Sequence, residues 1–233
     1  GRTGTLTPVA VLEPVQVGGV TVSRATLHNM DEIQRKDIRI GDRALITRAG
    51  DVIPKVIKVM VPERTGEEQI FEMPAHCPVC GSRVQRLEDE AAVKCINAAC
   101  QAQRKERIRH FVSKKGFDID GLGKKLVDQL VNEGLLTSFA DLFFLKKAQL
   151  TPLDRMADKS AQNLVTAIDK ARQIPLHRFI FALGIDHTGE NAARLLAKTF
   201  ETLDDLMAAK EADIAQIHGM GTITAKAIAA FFA

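Results

Sequence analysis

Hydrophobic positions follow two different periods in the two halves of this chain. Up to residue 62 they gather in short β-rich runs at Leu6–Leu12, Val15–Val22, Arg43–Arg48 and Val52–Val61, with Gly18-Gly19 and Gly50-Asp51 as turn candidates. One stretch of helical character, Leu27–Lys36, interrupts them. From Gln103 to the end, apolar residues recur at three and four, as at Leu164, Val165, Ile168 and Ala171, and no run reads as a strand. Between these regions lie a polar stretch, 63–75, and a segment, 76–103, that contains every cysteine. The pattern predicts a multidomain α+β chain.

The β-rich region suits a small barrel of about five strands with one helix, and the oligonucleotide-binding (OB) fold has that form. The expected domains are therefore an OB-type barrel at 1–75, a cysteine finger at 76–103 and an all-α domain at 104–233. The helical domain repeats itself. Asp120-Gly121-Leu122-Gly123-Lys124-Lys125 opens one unit and Gly219-Met220-Gly221-Thr222 another, with Arg155-Met156-Ala157 and His187-Thr188-Gly189 in register between them. The anchors 123, 157, 189 and 221 lie 34, 32 and 32 residues apart, the mark of one helical module used four times.

A Gly–hydrophobe–Gly turn between two helices allows backbone conformations that a side chain forbids. The second helix then starts with free N–H groups and the positive end of its dipole, a ready place for a phosphate. Gly121, Gly123, Gly189, Gly219 and Gly221 are the candidates, and Lys124, Lys159 and Lys226 follow closely. Such a turn reads no base edges, so binding is expected to ignore sequence. At 155–157 the glycines are replaced, and a packing role is expected there. An acid introduced at Ala157 is expected to cost stability rather than binding.

Cys77, Cys80, Cys95 and Cys100 are separated by two, fourteen and four residues. Two close pairs joined by a short loop suit a tetrahedral site. Four thiolates favour zinc or an iron–sulfur cluster over magnesium, and a site filled by protein alone is structural. Disulfides are disfavoured because no charged-then-apolar leader opens the chain. His76 is a spare donor that four sulfurs make unnecessary.

Net charge is +3, a weak pull on anions, but residues 104–115 carry six Lys or Arg against one Glu. A solvated helix face is the plainer reading of that run. Trp and Tyr are both absent, which argues against single-strand readout on aromatic platforms. The apolar run Ala227–Ala233 is far shorter than a membrane span. A cytoplasmic protein, nucleoid-associated through DNA and monomeric, is expected. The opening Gly1-Arg2-Thr3-Gly4 has no initiator methionine and reads as a start inside a longer protein.

Several stretches resemble the bacterial-type NAD-dependent DNA ligases. They are 1–10 (Gly-Arg-Thr-Gly-x-Leu-Thr-Pro-Val-Ala), Ala25-Thr26-Leu27-His28-Asn29, Arg39-Ile40-Gly41-Asp42, Arg48–Pro54, His76-Cys77-Pro78-Val79-Cys80-Gly81 and Lys159-Ser160-Ala161-Gln162-Asn163. The likeness runs from residue 1 to 233 in the family's order of barrel, four-cysteine finger and four helix–hairpin–helix units. It implies a zinc ion in the finger. It also implies that NAD and magnesium are bound elsewhere, in an adenylation domain whose Lys-x-Asp-Gly nucleophile occurs nowhere in this sequence. No catalytic residue is expected here. By resemblance Arg2, Thr3, Arg48, Val52 and Ile53 touch the minor groove opposite a nick. The chemistry agrees, since arginines neutralise phosphates while Val52 and Ile53 wedge against sugars. His28 is expected to hold the barrel's helix by a hydrogen bond. His187 and His218, in hairpin loops, are expected near DNA.

Two other classes compete with part of a nick-sealing ligase. A stand-alone, sequence-independent DNA-binding module of a repair complex would use the same finger and hairpins. A nuclease would need clustered carboxylates for two metals, whereas Asp118, Asp120, Asp204 and Asp205 are scattered.

Overall fold

Turn chemistry at Thr7-Pro8 and Gly18-Gly19 sets the first strands. The structure, a computed structural model, describes residues 1–48, 53–86 and 91–233, so Gly50-Asp51 and Val52 lie outside it. β1 (Thr5–Leu6) stops before Thr7-Pro8, and β2 (Val9–Val17) then runs to the two glycines. Gly18 and Gly19 have φ of 56° and 80°, the double positive φ of a type I′ hairpin, and lead into antiparallel β3 (Val20–Thr26). The run expected at Val15–Val22 is thus the hairpin itself. β2 continues through Pro14 because it is an edge strand that shifts register between Val11 and Val15, where a missing N–H is tolerated.

Helix α1 (Met30–Arg35) is shorter than the 27–36 expected, and Asn29 rather than His28 fixes its start. The Asn29 Oδ1 accepts the Glu32 N–H at 2.9 Å, an N-cap. His28 is exposed at φ 61°, with its backbone N–H donating to the Thr26 hydroxyl.

β4 (Arg39–Ile40), β5 (Ala44–Thr47), β6 (Lys55–Val59) and β7 (Gln69–Ile70) complete the barrel region. The curled sheet has the order β2-β3-β6-β5, and β4 pairs with β7 separately. This is an OB-like half-barrel closed over Ala25, Leu27, Ile33 and Val56, with Leu12, Ile38 and Phe71 against them. Arg64 ties its rim, meeting the buried Asp42 carboxylate at 2.7 Å and Asp37 at 2.6 Å. The Arg64 guanidinium holds both carboxyls below the usual carboxylate range. The stability contributed is therefore present above the ordinary aspartate range and lost as pH falls through the lowered values. β8 (Val84–Arg86) and β9 (Val93–Cys95) belong to the finger, in a sheet of order β1-β9-β8.

Contacts group residues 3–102 with Gly1 into one unit and residues 103–233 with Arg2 into another. The second is helical: α2 (Gln101–Phe111), α3 (Lys124–Asn132), α4 (Lys147–Leu150), α5 (Asp158–Lys170), α6 (Leu176–Leu183), α7 (Glu190–Thr199), α8 (Leu203–Ala208), α9 (Glu211–Ala215) and α10 (Thr222–Phe232). Two apolar cores lie in it. One gathers Ile108, Leu130, Leu142, Leu150 and Leu164, and the other Ile180, Leu196, Leu206, Ile214 and Ile228. Each core takes two helix pairs, so the four modules fold as two halves of like design.

All four hairpins make one turn. The N–H groups of Leu122, Met156, Thr188 and Met220 donate to the carbonyls of Ile119, Leu153, Ile185 and Ile217, three residues back. The residue before each donor is left-handed: Gly121 at φ 81°, Arg155 at 59°, His187 at 60° and Gly219 at 85°. A β-turn with positive φ at its third position is the type II pattern, which favours glycine there. Arg155 and His187 therefore hold by force of context what glycine adopts freely. Leu122, Thr188 and Met220 point inward and are buried, which explains the larger residue between the glycines.

Replacing Arg155 by glycine should accordingly stabilise the fold. Relief of a left-handed side chain outweighs the extra chain entropy of glycine by roughly 0.5–1 kcal/mol. Chemical denaturation of Arg155→Gly checks this, and a lower unfolding midpoint would contradict it.

Candidate metal centre and nucleic-acid interface

The finger is built from two knuckles and a short sheet. Cys77 and Cys80 sit on the first knuckle, where the Gly81 N–H donates to the Cys77 carbonyl at 2.9 Å and Gly81 takes φ 70°. Cys95 ends β9, and Cys100 follows a turn in which its own N–H donates to Asn97. The four Sγ atoms all lie within 4.8 Å of one another, and those of Cys80 and Cys95 are 3.6 Å apart. Sulfurs about 2.3 Å from a tetrahedral zinc are separated by ~3.8 Å, so the cluster fits one such ion. Cys77, Cys95 and Cys100 are buried and Cys80 half-buried, and all four are free thiols. His76 is exposed and outside the cluster.

Neighbours bias the thiols in opposite directions. The Ser82 hydroxyl and backbone N–H donate to Cys80, holding its thiol low, at about 6. Burial pushes Cys95 up to about 11. Asn97 donates to the Ser82 hydroxyl oxygen at 2.9 Å, linking the second knuckle to the first. Neither Ser82 nor Asn97 stood out in the sequence, because a polar residue two positions beyond a cysteine has no distinctive spacing.

The hairpins share an open geometry at the helix starts. Gly123, Ala157, Gly189 and Gly221 are the N-caps of α3, α5, α7 and α10, all in extended conformation, with φ from −75° to −83° and no capping side chain. A Cβ built at Gly121, Gly123, Gly189 or Gly221 meets nothing within 4 Å, so the space over these turns is clear. Their φ values show that Gly121 and Gly219 are glycines for conformation, whereas Gly123, Gly189 and Gly221 leave room.

The first helical residue separates the four. Lys124 and Thr222 follow the caps of the first and fourth hairpins, whereas Asp158 and Glu190 follow those of the second and third. Asp158 pairs with Lys147 at 2.6 Å, and Glu190 with Lys115 and Arg194, both at 2.9 Å. An acid there already answers the helix dipole and opposes a phosphate. This supplies a physical ground for ranking hairpins one and four above hairpin two, which glycine content alone had suggested. His187 and His218 are exposed at their turns, and Lys124, Lys159 and Lys226 are exposed beside them.

Arg2 and Thr3 stand half-buried in the turn Gly1–Gly4, of which contacts group Thr3 with the barrel and Arg2 with residues 103–233; Arg48 is half-buried, and Ile53 is 70% exposed. Val52 belongs to the residues not described. Arg24 on β3 and Lys55 and Lys58 on β6 are exposed on the same curled sheet, and sequence reasoning had passed over them. The run Lys55-Val-Ile-Lys58-Val, basic positions among apolar ones, was the available signal. The basic run 104–115 is mostly a packing element: Arg109 pairs with Glu106 and Asp128, Lys105 with Asn132, and Arg107 with Gln103. Among the described residues no helix is long and apolar enough to cross a membrane.

A curled OB-like sheet, a four-cysteine finger and four identical hairpin turns define a chain assembled from nucleic-acid-binding modules. Comparison with known proteins gives the particular family. The OB-fold domain model of the NAD-dependent DNA ligases matches residues 1–68, and their C4 zinc-finger domain model matches residues 76–102. A helix-hairpin-helix motif matches residues 178–233. Proteins named DNA ligase align over 233 residues at 61% identity in Desulforapulum autotrophicum, 58% in Desulfosudis oleivorans and 54% in Halothermothrix orenii. Each alignment covers 100% of this chain and 34%, 34% and 35% of those proteins, so the chain spans about a third of their length. The OB-fold and four-cysteine finger of this chain are thus domains of the NAD-dependent DNA ligase family.

Proposed function

We propose that this chain is the DNA-gripping portion of an NAD-dependent DNA ligase, holding nicked duplex without regard to sequence while the nick is sealed in replication and repair. The observation that carries the reading is the repeated turn, which leaves the helix start without a capping side chain four times, with clear space at Gly123, Gly189 and Gly221 and no first-position acid at the first and fourth. Backbone N–H groups so aimed suit phosphate oxygens and ignore bases. The divisions 1–75, 76–103 and 104–233 serve as barrel, finger and hairpin domain. Cys77, Cys80, Cys95 and Cys100 hold one structural zinc. Arg2, Thr3, Arg48, Val52 and Ile53, joined by Arg24, Lys55 and Lys58, face the minor groove. NAD and magnesium act on an adenylation domain carried elsewhere. The working form is a monomer in the cytoplasm, associated with the nucleoid through DNA.

The chain alone should bind unrelated duplexes equally and seal no nick, and sealing should appear when a family adenylation domain is joined to it. With about six to ten phosphates neutralised, log affinity should fall against log salt with a slope near −5 to −9. A flat salt dependence, or a strong preference for one sequence, would overturn the reading. Binding that meets these terms without any sealing in the joined protein would favour a stand-alone repair module.

A further inference from the structure

The finger's sheet includes a strand from outside the finger. β9 is flanked by β8 on one side and by β1 on the other, in the registers Thr5↔Lys94 and Leu6↔Val93. The N–H of the ligand residue Cys95 donates to the Gly4 carbonyl at 2.9 Å. The Leu6 side chain packs against the cluster of Cys77, Cys95 and Cys100, beside Cys80 and Val84. Directly upstream, Gly4 at φ 83° closes a turn by donating to the Gly1 carbonyl at 3.1 Å, and the Thr3 and Thr5 hydroxyls share a bond of 3.1 Å. The turn that carries Thr3 is therefore held to the finger through Gly4–Leu6, by one ladder and one leucine. Its next anchor is the barrel, where the Pro8 carbonyl accepts the Leu27 N–H at 3.1 Å.

We propose that the filled zinc site is a positioning device for this turn, with Leu6 as the positioning residue. The inference rests on the reading of Arg2 and Thr3 as DNA contacts. β8 and β9 have three residues each, and so short a pair does not stand alone in water. Metal bonds between the knuckles hold β9 in place, and β9 is the strand partner of β1 among the described residues. When the metal goes, β9 loses its place and residues 3–6 lose the ladder and the packing that fix them. The finger thus governs a contact at the nick without touching DNA itself.

Amide nitrogen relaxation on the full chain decides the link. In zinc-loaded protein residues 3–6 should show order parameters near ~0.85, and in chelated protein they should fall below ~0.6. Leu6→Ser should keep one zinc per chain by elemental analysis yet loosen residues 3–5 and weaken nicked-duplex binding at least fivefold. Adding Thr3→Ala to it should bring little further loss, whereas Leu6→Met should behave as the parent chain. Residues 3–6 remaining rigid after zinc removal would overturn the proposal, even in a wild-type chain and whatever the variants do. Undiminished DNA binding by Arg2→Ala and Thr3→Ala would instead overturn the role of the turn at DNA, and the order parameters would still settle whether zinc holds it.

Discussion

Stripping zinc from this chain should unfold its finger while leaving both helical cores standing. The sheet β1-β9-β8 has strands of only two and three residues, and the cluster's apolar wall is little more than Leu6, Val84 and Ala102. Segments that small bury too little to fold unaided. Structural zinc in a small finger contributes about 10–16 kcal/mol of apparent binding free energy, which is folding free energy for the segment around it. The helical cores around Leu130 and Ile180 lie in the other compact unit and owe nothing to the metal. Amide exchange with and without chelator should show protection lost at Val84–Arg86 and Val93–Cys95 and kept along α3, α5, α7 and α10. Binding should also strengthen as pH rises between about 6 and 8, because thiols must lose protons to bind the ion. With the Cys95 thiol pushed up to about 11 by burial, zinc displaces a proton at neutral pH. Finding no zinc in purified protein, or protection unchanged after chelation, would sink this expectation.

Periodicity and cysteine spacing made the architecture readable, but strand boundaries depended on pairing that a linear pattern does not carry. Leu6 looks like the start of a barrel strand because Val9, Val11 and Leu12 follow it. It is separated from them by Thr7-Pro8 and spends its side chain on the finger. Gly18-Gly19 was legible as a turn, yet Val15 and Val22 on either side read as one run because both are β-branched. The hairpins were read from glycine, and glycine understates them. Arg155 and His187 adopt the same left-handed turn under tertiary constraint, so backbone geometry repeats where sequence does not. The hydrogen bond expected of His28 at the barrel's helix is supplied at the helix start by Asn29, whose side-chain oxygen accepts the Glu32 N–H. The grouping of the four cysteines was legible from their spacing. Ser82 and Asn97, which orient and bias them, became visible only once the two knuckles were seen side by side.

Gly221→Asp should weaken DNA binding by roughly ten- to hundredfold and leave the fold intact. Gly221 is the N-cap of α10 at φ −78° and ψ 156°, a conformation open to any residue, and an added Cβ meets nothing within 4 Å. Aspartate is a favoured cap, so its carboxylate should accept a first-turn N–H and hold or slightly raise the melting temperature. That same bond removes the donor offered to a phosphate and sets a negative charge beside it. Loss of one charge-assisted contact costs about 1.5–3 kcal/mol, which is the stated range of affinity. Ala157→Asp makes the informative partner. Ala157 caps α5 in the same geometry, so an acid there should add stability, about 0.5–2 kcal/mol, rather than cost it as the missing glycines had suggested. Asp158 already places a carboxylate at the first helical position of that hairpin, and the new acid repels little that was not repelled before. Its DNA affinity should stay within about threefold of the parent chain, a shift below that of one lost contact. Titration of both variants against one nicked duplex, with thermal melts alongside, separates the effects. Equal losses at 157 and 221 would show that all four turns meet phosphate alike, and a lowered melting temperature for Gly221→Asp would show that the cap is not free to be filled.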